Sequence, residues 1–255
     1  MRRREFLAGA AAGLGGLSRS AAKAAARDGR EFFELRRYRL HVGAKKSIVG
    51  EFLREVGIAA MNRVGIGPVG VFSAKYGPSE PTLYVLLVHK NLESVVSASE
   101  RLLGDEEFAK SAFVNSSLSE TAYVRVESSL MVAFAGMPKL EVPAKKPRIF
   151  EMRIYESHSI KAAKKKIEMF NEGGEIAIFK KTGLRPVFFG ETIIGPMMPN
   201  LTYMLVFEDL NERDERWSVF GSSPEWKKLR SDPRYKDTVS NITDIILRPT
   251  PYSQI

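Results

Sequence analysis

The chain is 255 residues long, 44% hydrophobic and 27% charged, an ordinary globular composition with enough apolar mass for two modest cores or one large one. It contains no cysteine, which excludes disulfides, zinc ribbons, thiolate catalysis and cysteine-ligated iron–sulfur clusters. Of the net charge of +9, +4 belongs to residues 1–26, and the remainder is scattered without the interleaved aromatics of a stacking platform, so no nucleic-acid partner is expected.

The chain begins with an address. Arg3-Arg4-Glu5-Phe6-Leu7 fits the twin-arginine pattern R-R-x-F-L, and the weakly hydrophobic stretch Ala8 to Leu17 follows it. Ala22-Lys23-Ala24 and Ala24-Ala25-Ala26 are both A-x-A cleavage triplets. An ordinary Ala-rich helix is the competing reading, but the glycines between Gly9 and Gly16 would cost it about 1 kcal/mol each. Residues 1–26 are therefore expected to be a signal peptide, and the protein periplasmic or secreted by twin-arginine export. Beyond residue 30 no stretch approaches the roughly 18 uninterrupted apolar residues of a membrane span, so none is expected in the mature chain.

The elements then follow from periodicity. Phe32 to Leu40 alternates as a strand, and Ala44 to Val64 carries Ile48, Phe52, Val56 and Ala60 on one helical face. Val69 to Tyr76 and Leu83 to Val88 are strands separated by the turn Gly77-Pro78-Ser79-Glu80-Pro81. Leu92 to Phe113 is helical and Tyr123 to Phe134 a closing strand, which gives β-α-β-β-α-β, the ferredoxin-like order. Residues 137–148 read as a Pro- and Lys-containing linker. The same succession returns at Ile149 to Glu156, Ile160 to Lys181, Pro186 to Ile194, Thr202 to Phe207, Leu210 to Arg230 and Ser240 to Leu247.

The succession is a duplication with a period near 118 residues. Phe33-Glu34-Leu35-Arg36-Arg37-Tyr38 returns as Phe150-Glu151-Met152-Arg153-Ile154-Tyr155, and Gly65-Ile66-Gly67-Pro68-Val69 as Gly183-Leu184-Arg185-Pro186-Val187. The chain thus divides into a first unit at 32–136 and a second at 149–250. Leu83 to Val88 and Tyr203 to Phe207 are apolar at every position, where a sheet with one wet face would alternate. Helices cover one face only, so the two four-stranded sheets are expected to cover each other. The fold class is α+β, two tandem ferredoxin-like units pairing as an intramolecular α+β barrel; further homo-oligomerisation stays open.

These segments, with Met61-Asn62-Arg63-Val64-Gly65-Ile66-Gly67-Pro68-Val69-Gly70 and Asn200-Leu201-Thr202-Tyr203-Met204-Leu205, resemble the NIPSNAP family from about Phe32 onward. The resemblance implies the dimeric α+β-barrel superfamily, whose other branches include cofactor-independent monooxygenases, haem-handling enzymes and small-ligand isomerases. It brings no catalytic residues with it, and the mitochondrial setting of animal members is not carried over to an exported chain.

Period-2 alternation puts Glu34, Arg36 and Tyr38 on one face of the first strand, and Glu151, Arg153 and Tyr155 on the matching face of the second. With Phe33, Leu35, Phe150, Met152 and Ile154 turned to the helices, those polar groups would point into the barrel. Two readings stand: a paired network filling the interior, which we favour, and a pocket in which Arg153 holds an anion and Tyr155 donates a proton. His158 and His41 end the two opening strands, and His89 is the third histidine. Their spacing gives no metal site, and a haem carrier would need His158 or His41 to look into the cavity. Asn171-Glu172-Gly173-Gly174-Glu175 interrupts a helix, so the helix kinks or backbone approaches closely there, making Glu175 and Glu191 candidate pocket acids. Asn200 and Tyr203 complete the ligand-binding candidates, and Met197 and Met198 form a flexible apolar lip. No nucleotide-binding or standard hydrolase motif occurs.

The sequence therefore argues for an exported module that binds a small organic ligand or serves as an interaction module, with no cofactor expected. The alternative is a cofactor-independent monooxygenase or isomerase using Arg153, Tyr155, His158 and Glu191. An interior cavity of roughly 300 Å³ or more lined by these groups would favour the enzyme.

Overall fold

The computed structural model describes residues 29–76 and 81–255; the expected signal peptide and most of the turn at 77–81 lie outside them. The first half supplies β1 (Phe32–Arg39), β2 (Val69–Tyr76), β3 (Thr82–His89) and β4 (Arg125–Ala133), and the second β5 (Ile149–Glu156), β6 (Arg185–Ile194), β7 (Asn200–Phe207) and β8 (Asn241–Pro249). All neighbours are antiparallel and close into one barrel, β1-β3-β2-β8-β5-β7-β6-β4. Each half keeps the ferredoxin-like sheet order, and the two sheets join edge to edge at β2–β8 and β4–β6. Closure leaves no free sheet edge, which a duplicated chain achieves without a partner.

The helical stretches are more broken than periodicity alone suggests. The first contains α1 (Ile48–Phe52), a π-turn over Leu53–Gly57 and α2 (Ile58–Arg63). Leu92 to Phe113 is three short helices, α3 (Leu92–Val96), α4 (Ala98–Leu103) and α5 (Glu106–Lys110), the first and last capped by the side chains of Asn91 and Asp105. In the second half α6 (Ile160–Asn171) and α7 (Glu175–Lys181) are split at Gly174, whose φ of +85° is left-handed backbone that glycine adopts freely. The double glycine is therefore a kink. Likewise α8 (Leu210–Ser222) ends where Ser223 caps α9 (Pro224–Arg230), with proline at its first position.

Three apolar clusters follow from the closure. One fills the barrel and includes Phe33, Leu35, Phe72, Tyr84, Leu86, Phe150, Met152, Phe188 and Met204. The others lie between the sheets and their helices, around Tyr38, Val49 and Leu53 in the first half and Tyr155, Phe170 and Tyr203 in the second. All eight residues of β3 and of β7 are buried, as their unbroken apolar character requires. The orientation of β1 and β5 is the reverse of the sequence-based expectation. Phe33, Leu35, Phe150 and Met152 face the barrel interior, and the alternating set Glu34, Arg36, Tyr38, Glu151, Arg153, Tyr155 faces the helices. The inversion has a physical reason: among the described residues an apolar cluster fills the barrel, whereas on the helix side Arg213 and Trp217 meet Glu151 and Arg153, Lys166 meets Tyr155, and Ser128 and His89 meet Glu34.

Candidate functional site

One end of the barrel is plugged. Leu140 packs against the interior cluster from the connection between the halves, and Ile255, fully buried, does so after β8. Backbone bonds hold both segments to neighbouring strands, Glu141 N to Val187 O at 2.9 Å and Gln254 N to Val69 O at 2.9 Å.

The other end, where β1 and β5 terminate, is open, and a cavity of about 580 Å³ enters the barrel there. Register sorts its lining into two levels. Leu35 lies opposite Ser129, and Met152 opposite Ile245, forming the floor. One pleat outward, Arg37 lies opposite Glu127 and Tyr84, and Ile154 opposite Thr243, forming the rim. Pro196 and Met197, from the β6–β7 connection, close over part of the opening. The two walls differ: the first half gives Leu35, Arg37, Glu127 and Ser129, with Tyr84 beside Arg37, and the second gives Met152, Ile154, Thr243 and Ile245 at the places corresponding to the first four. Arg37 Nη2 donates to Glu127 Oε2 at 2.6 Å. Asp244 borders the same cavity from β8.

Asn200 holds the covering turn. Its Nδ2 donates to Pro196 O and Met197 O, both at 3.0 Å, while its Oδ1 accepts from Thr192 Oγ1 at 2.6 Å. Gly195 lies so close to β4 that a Cβ there would meet Ser129 Oγ at 2.9 Å, so the turn reaches the cavity wall only with glycine at this position. Of the two methionines expected as an apolar lip, both about half-exposed, Met197 lines the cavity.

The remaining candidates sit between sheet and helices. In the first half Arg36 holds Glu34 with two bonds of 2.7 and 3.0 Å, Ser128 adds a third at 2.8 Å, and His89 Nε2 stands 3.7 Å away. Burial pushes Glu34 upward, but His89, Arg36 and Ser128 outweigh it and hold the carboxyl at about 2. Tyr38 packs edge-on against Tyr123. In the second half Glu151, with no exposed surface, accepts from Arg213 Nη2 and Trp217 Nε1, each at 2.6 Å, and from Arg153 Nη1 at 2.9 Å. Arg153 also donates to Asp244 at 3.0 Å and stacks over the Trp217 ring. Burial and the neighbouring Glu151 carboxylate push Asp244 up to about 6. Glu151 itself is held below the ordinary carboxylate range, because the bonds from Arg213 and Trp217 and the Arg153 charge overcome the burial that raises it. Tyr155 and Tyr203 share a hydrogen bond of 2.8 Å. Behind them Lys166 and Glu175, both buried, pair at 2.7 Å, with the ammonium over the Phe170 ring.

Glu191 pairs with Lys164 on the helix side, and His158 is exposed. His41 bonds Thr121 at 3.1 Å, and buried His89 bonds Ser94 at 3.1 Å. None of Arg153, Tyr155, His158, Glu191, Glu34, Arg36, Tyr38, Glu151, Glu175, Asn200 or Tyr203 lines the mouth cavity, and neither does His41. Asn200 alone acts on it, through the covering turn. Arg37, Tyr84, Glu127, Ser129 and Thr243 were missed, although comparing the two copies exposes one of them: Arg37 takes the place of apolar Ile154, after two apolar residues on the same strand face in both.

A model of the NIPSNAP family matches residues 33–138 and 150–254. Among solved structures, a protein from Fusobacterium nucleatum put forward as a monooxygenase superposes with a TM-score of 0.59 at 11% identity, covering 86% of this chain and 92% of its own. A second protein put forward as a monooxygenase, from Lactobacillus acidophilus, gives 0.54 at 10% identity over 86% of this chain and 94% of its own. A NIPSNAP family protein from Agrobacterium tumefaciens is 27% identical over 42% of this chain and 98% of its own, with a TM-score of 0.37. A comparison with curated proteins gives no match. At these identities the full-length likenesses establish the barrel fold and no reaction.

Proposed function

The chain belongs to the NIPSNAP family, and from that premise we propose that it is an exported protein whose barrel mouth binds a small, largely apolar organic molecule. The cavity of about 580 Å³ carries this reading, since it lies within the range of small-molecule sites and joins an apolar floor to a few polar groups at the rim. No reaction is assigned. The residues that a monooxygenase or isomerase would have drawn on, Arg153, Tyr155, His158 and Glu191, stand outside this cavity, and the first two belong to a hydrogen-bonded network beneath the helices. Among the described residues no helix is long and apolar enough to cross a membrane.

The test is native mass spectrometry of protein purified from its own host. A bound small organic molecule is expected, and it should be lost from an Ile245→Trp variant whose indole fills the floor. Protein that emerges empty and takes up no neutral apolar dye would overturn the proposal. Export is supported by Arg3-Arg4-Glu5-Phe6-Leu7. Replacing Arg3 and Arg4 together by lysine should leave the protein in the cytoplasmic fraction, and unchanged export of that variant counts against twin-arginine transport.

A further inference from the structure

Resting on the binding role proposed for the mouth, the geometry points to one ligand class: a neutral amphiphile with a hydroxyl head, seated apolar end first with the head between Arg37 and Glu127.

The order of the two levels fixes the direction of entry. The floor contributes Leu35, Met152 and Ile245, with the Ser129 hydroxyl as its one polar side-chain group, and the buried barrel cluster continues beneath. A polar head placed there would exchange water for a nearly apolar surround and leave most of its hydrogen bonds unmade. The rim reverses this with the ion pair of Arg37 and Glu127 on one side, while Thr243 and Asp244 border the other. An amphiphile therefore enters with its apolar end down and keeps its head at the rim.

The pair also selects the charge of the head. Arg37 and Glu127 sum to zero, and Asp244, the other charged residue lining the cavity, is already paired with Arg153 and Arg213, so the rim gives a net charge no Coulomb reward. A ligand carboxylate would stand beside Glu127, and an ammonium beside Arg37, each partly stripped of water. The hydrogen bond between the two engages Arg37 Nη2 and Glu127 Oε2. The Arg37 and Glu127 side chains are each more than a third exposed, so the guanidinium keeps further N–H donors at the rim. Arg37 thus offers a donor beside Glu127 Oε1, an acceptor. A hydroxyl satisfies both, accepting from Arg37 and donating to Glu127. A carboxylate answers only the first and an ammonium only the second.

The experiment is displacement of N-phenyl-1-naphthylamine from the full mature chain by n-decanol, decanoate and n-decylammonium, which share one apolar body. Decanol is expected to bind about tenfold tighter than either ion, the margin of one satisfied hydrogen bond to a charged group. In an Arg37→Leu/Glu127→Leu variant, whose substitutions lie at the partly exposed rim, dye binding should persist and the preference should fall below about twofold. Decanoate or decylammonium binding as tightly as decanol would overturn the head assignment while leaving the cavity as a binding site. Failure of the dye and all three probes to bind would instead remove the binding role itself. A preference for decanol that survives the double substitution would show that the pair does not read the head.

Discussion

The two helix–sheet layers of this barrel descend from one unit and now solve the same problem differently. Beneath the first, one carboxylate, Glu34, is held by its own strand neighbour Arg36 and by Ser128, and the surrounding positions are apolar. Beneath the second, the equivalent Glu151 draws Arg213 and Trp217 from α8, and Asp244 stands where the first half has Ser128. Counted at a constant offset from Glu34 and Glu151, the buried pair Lys166 and Glu175 replaces Val49 and Ile58, and by strand register Tyr203, opposite Arg153, replaces Val85, opposite Arg36. The sheet geometry tolerated all of this because the polar groups were exchanged as satisfied sets. What the duplication conserves is the pairing of strands and the apolar barrel; the polar filling under the helices was free to diverge once each new charge arrived with its partner.

The comparison can be broken most severely at Lys166. Lys166→Met strands Glu175 in a buried apolar site and should cost about 3–5 kcal/mol in urea unfolding, while Lys166→Met/Glu175→Leu, which restores the first half's apolar solution, should recover most of it. A double variant no more stable than the single one would mean that the layer needs its ion pair. Next comes a matched pair of truncations. Glu151→Leu leaves Arg153, Arg213 and the Trp217 indole short of an acceptor in a buried place and should cost about 3 kcal/mol. Glu34→Leu leaves Arg36 and Ser128, both able to reach water, and the buried His89 ring without the carboxylate, and should cost about 1–2 kcal/mol. Equal losses from the two would contradict the claim that the second layer is the more interdependent. Smaller still is Tyr203→Phe, which removes one hydrogen bond and should cost about 1 kcal/mol.

The halves should also differ in how acidity acts on them. Glu34 is held at about 2, below its ordinary value, so its contribution is complete above the unfolded value of 4.5 and is lost as pH falls toward 2. Asp244 is raised to about 6 from 3.8, so its contribution is complete below 3.8 and is lost as pH rises through 6. With a third of the Asp244 side chain in water, that loss should be about 1 kcal/mol or less. Thermal unfolding between pH 4 and 7 should therefore show a decline that Asp244→Asn abolishes and Glu34→Gln does not. An unchanged slope in Asp244→Asn would assign the titration to another group.

Much of the architecture was legible because it rests on backbone periodicity and burial. Leu83 to Val88 and Tyr203 to Phe207 could only be strands covered on both faces, and they are buried throughout. The double glycine marked a real kink, because left-handed backbone at Gly174 is steric in origin and local in sequence. The direction of the alternating faces of β1 and β5 was not legible. Each strand offers an apolar face and a polar face, and which one turns inward depends on partners far along the chain, such as Arg213, Trp217 and Lys166. The placing of the candidate residues follows the same rule: Glu151, Arg153 and Tyr155 drew attention by their repetition, yet they are hydrogen-bonded on the helix side and do not line the mouth cavity. Arg37 and Glu127, which border the cavity, are the places where the copies disagree.

The plug formed by Leu140 and Ile255 has a kinetic consequence. A barrel stopped at its base is a cup and not a tube, so whatever leaves must use the doorway by which it came. On the binding role proposed for the mouth, occupants would be exchanged only one after another, past the Asn200-anchored turn that covers part of the entrance. Loosening that turn should therefore speed both steps together and leave affinity nearly unchanged.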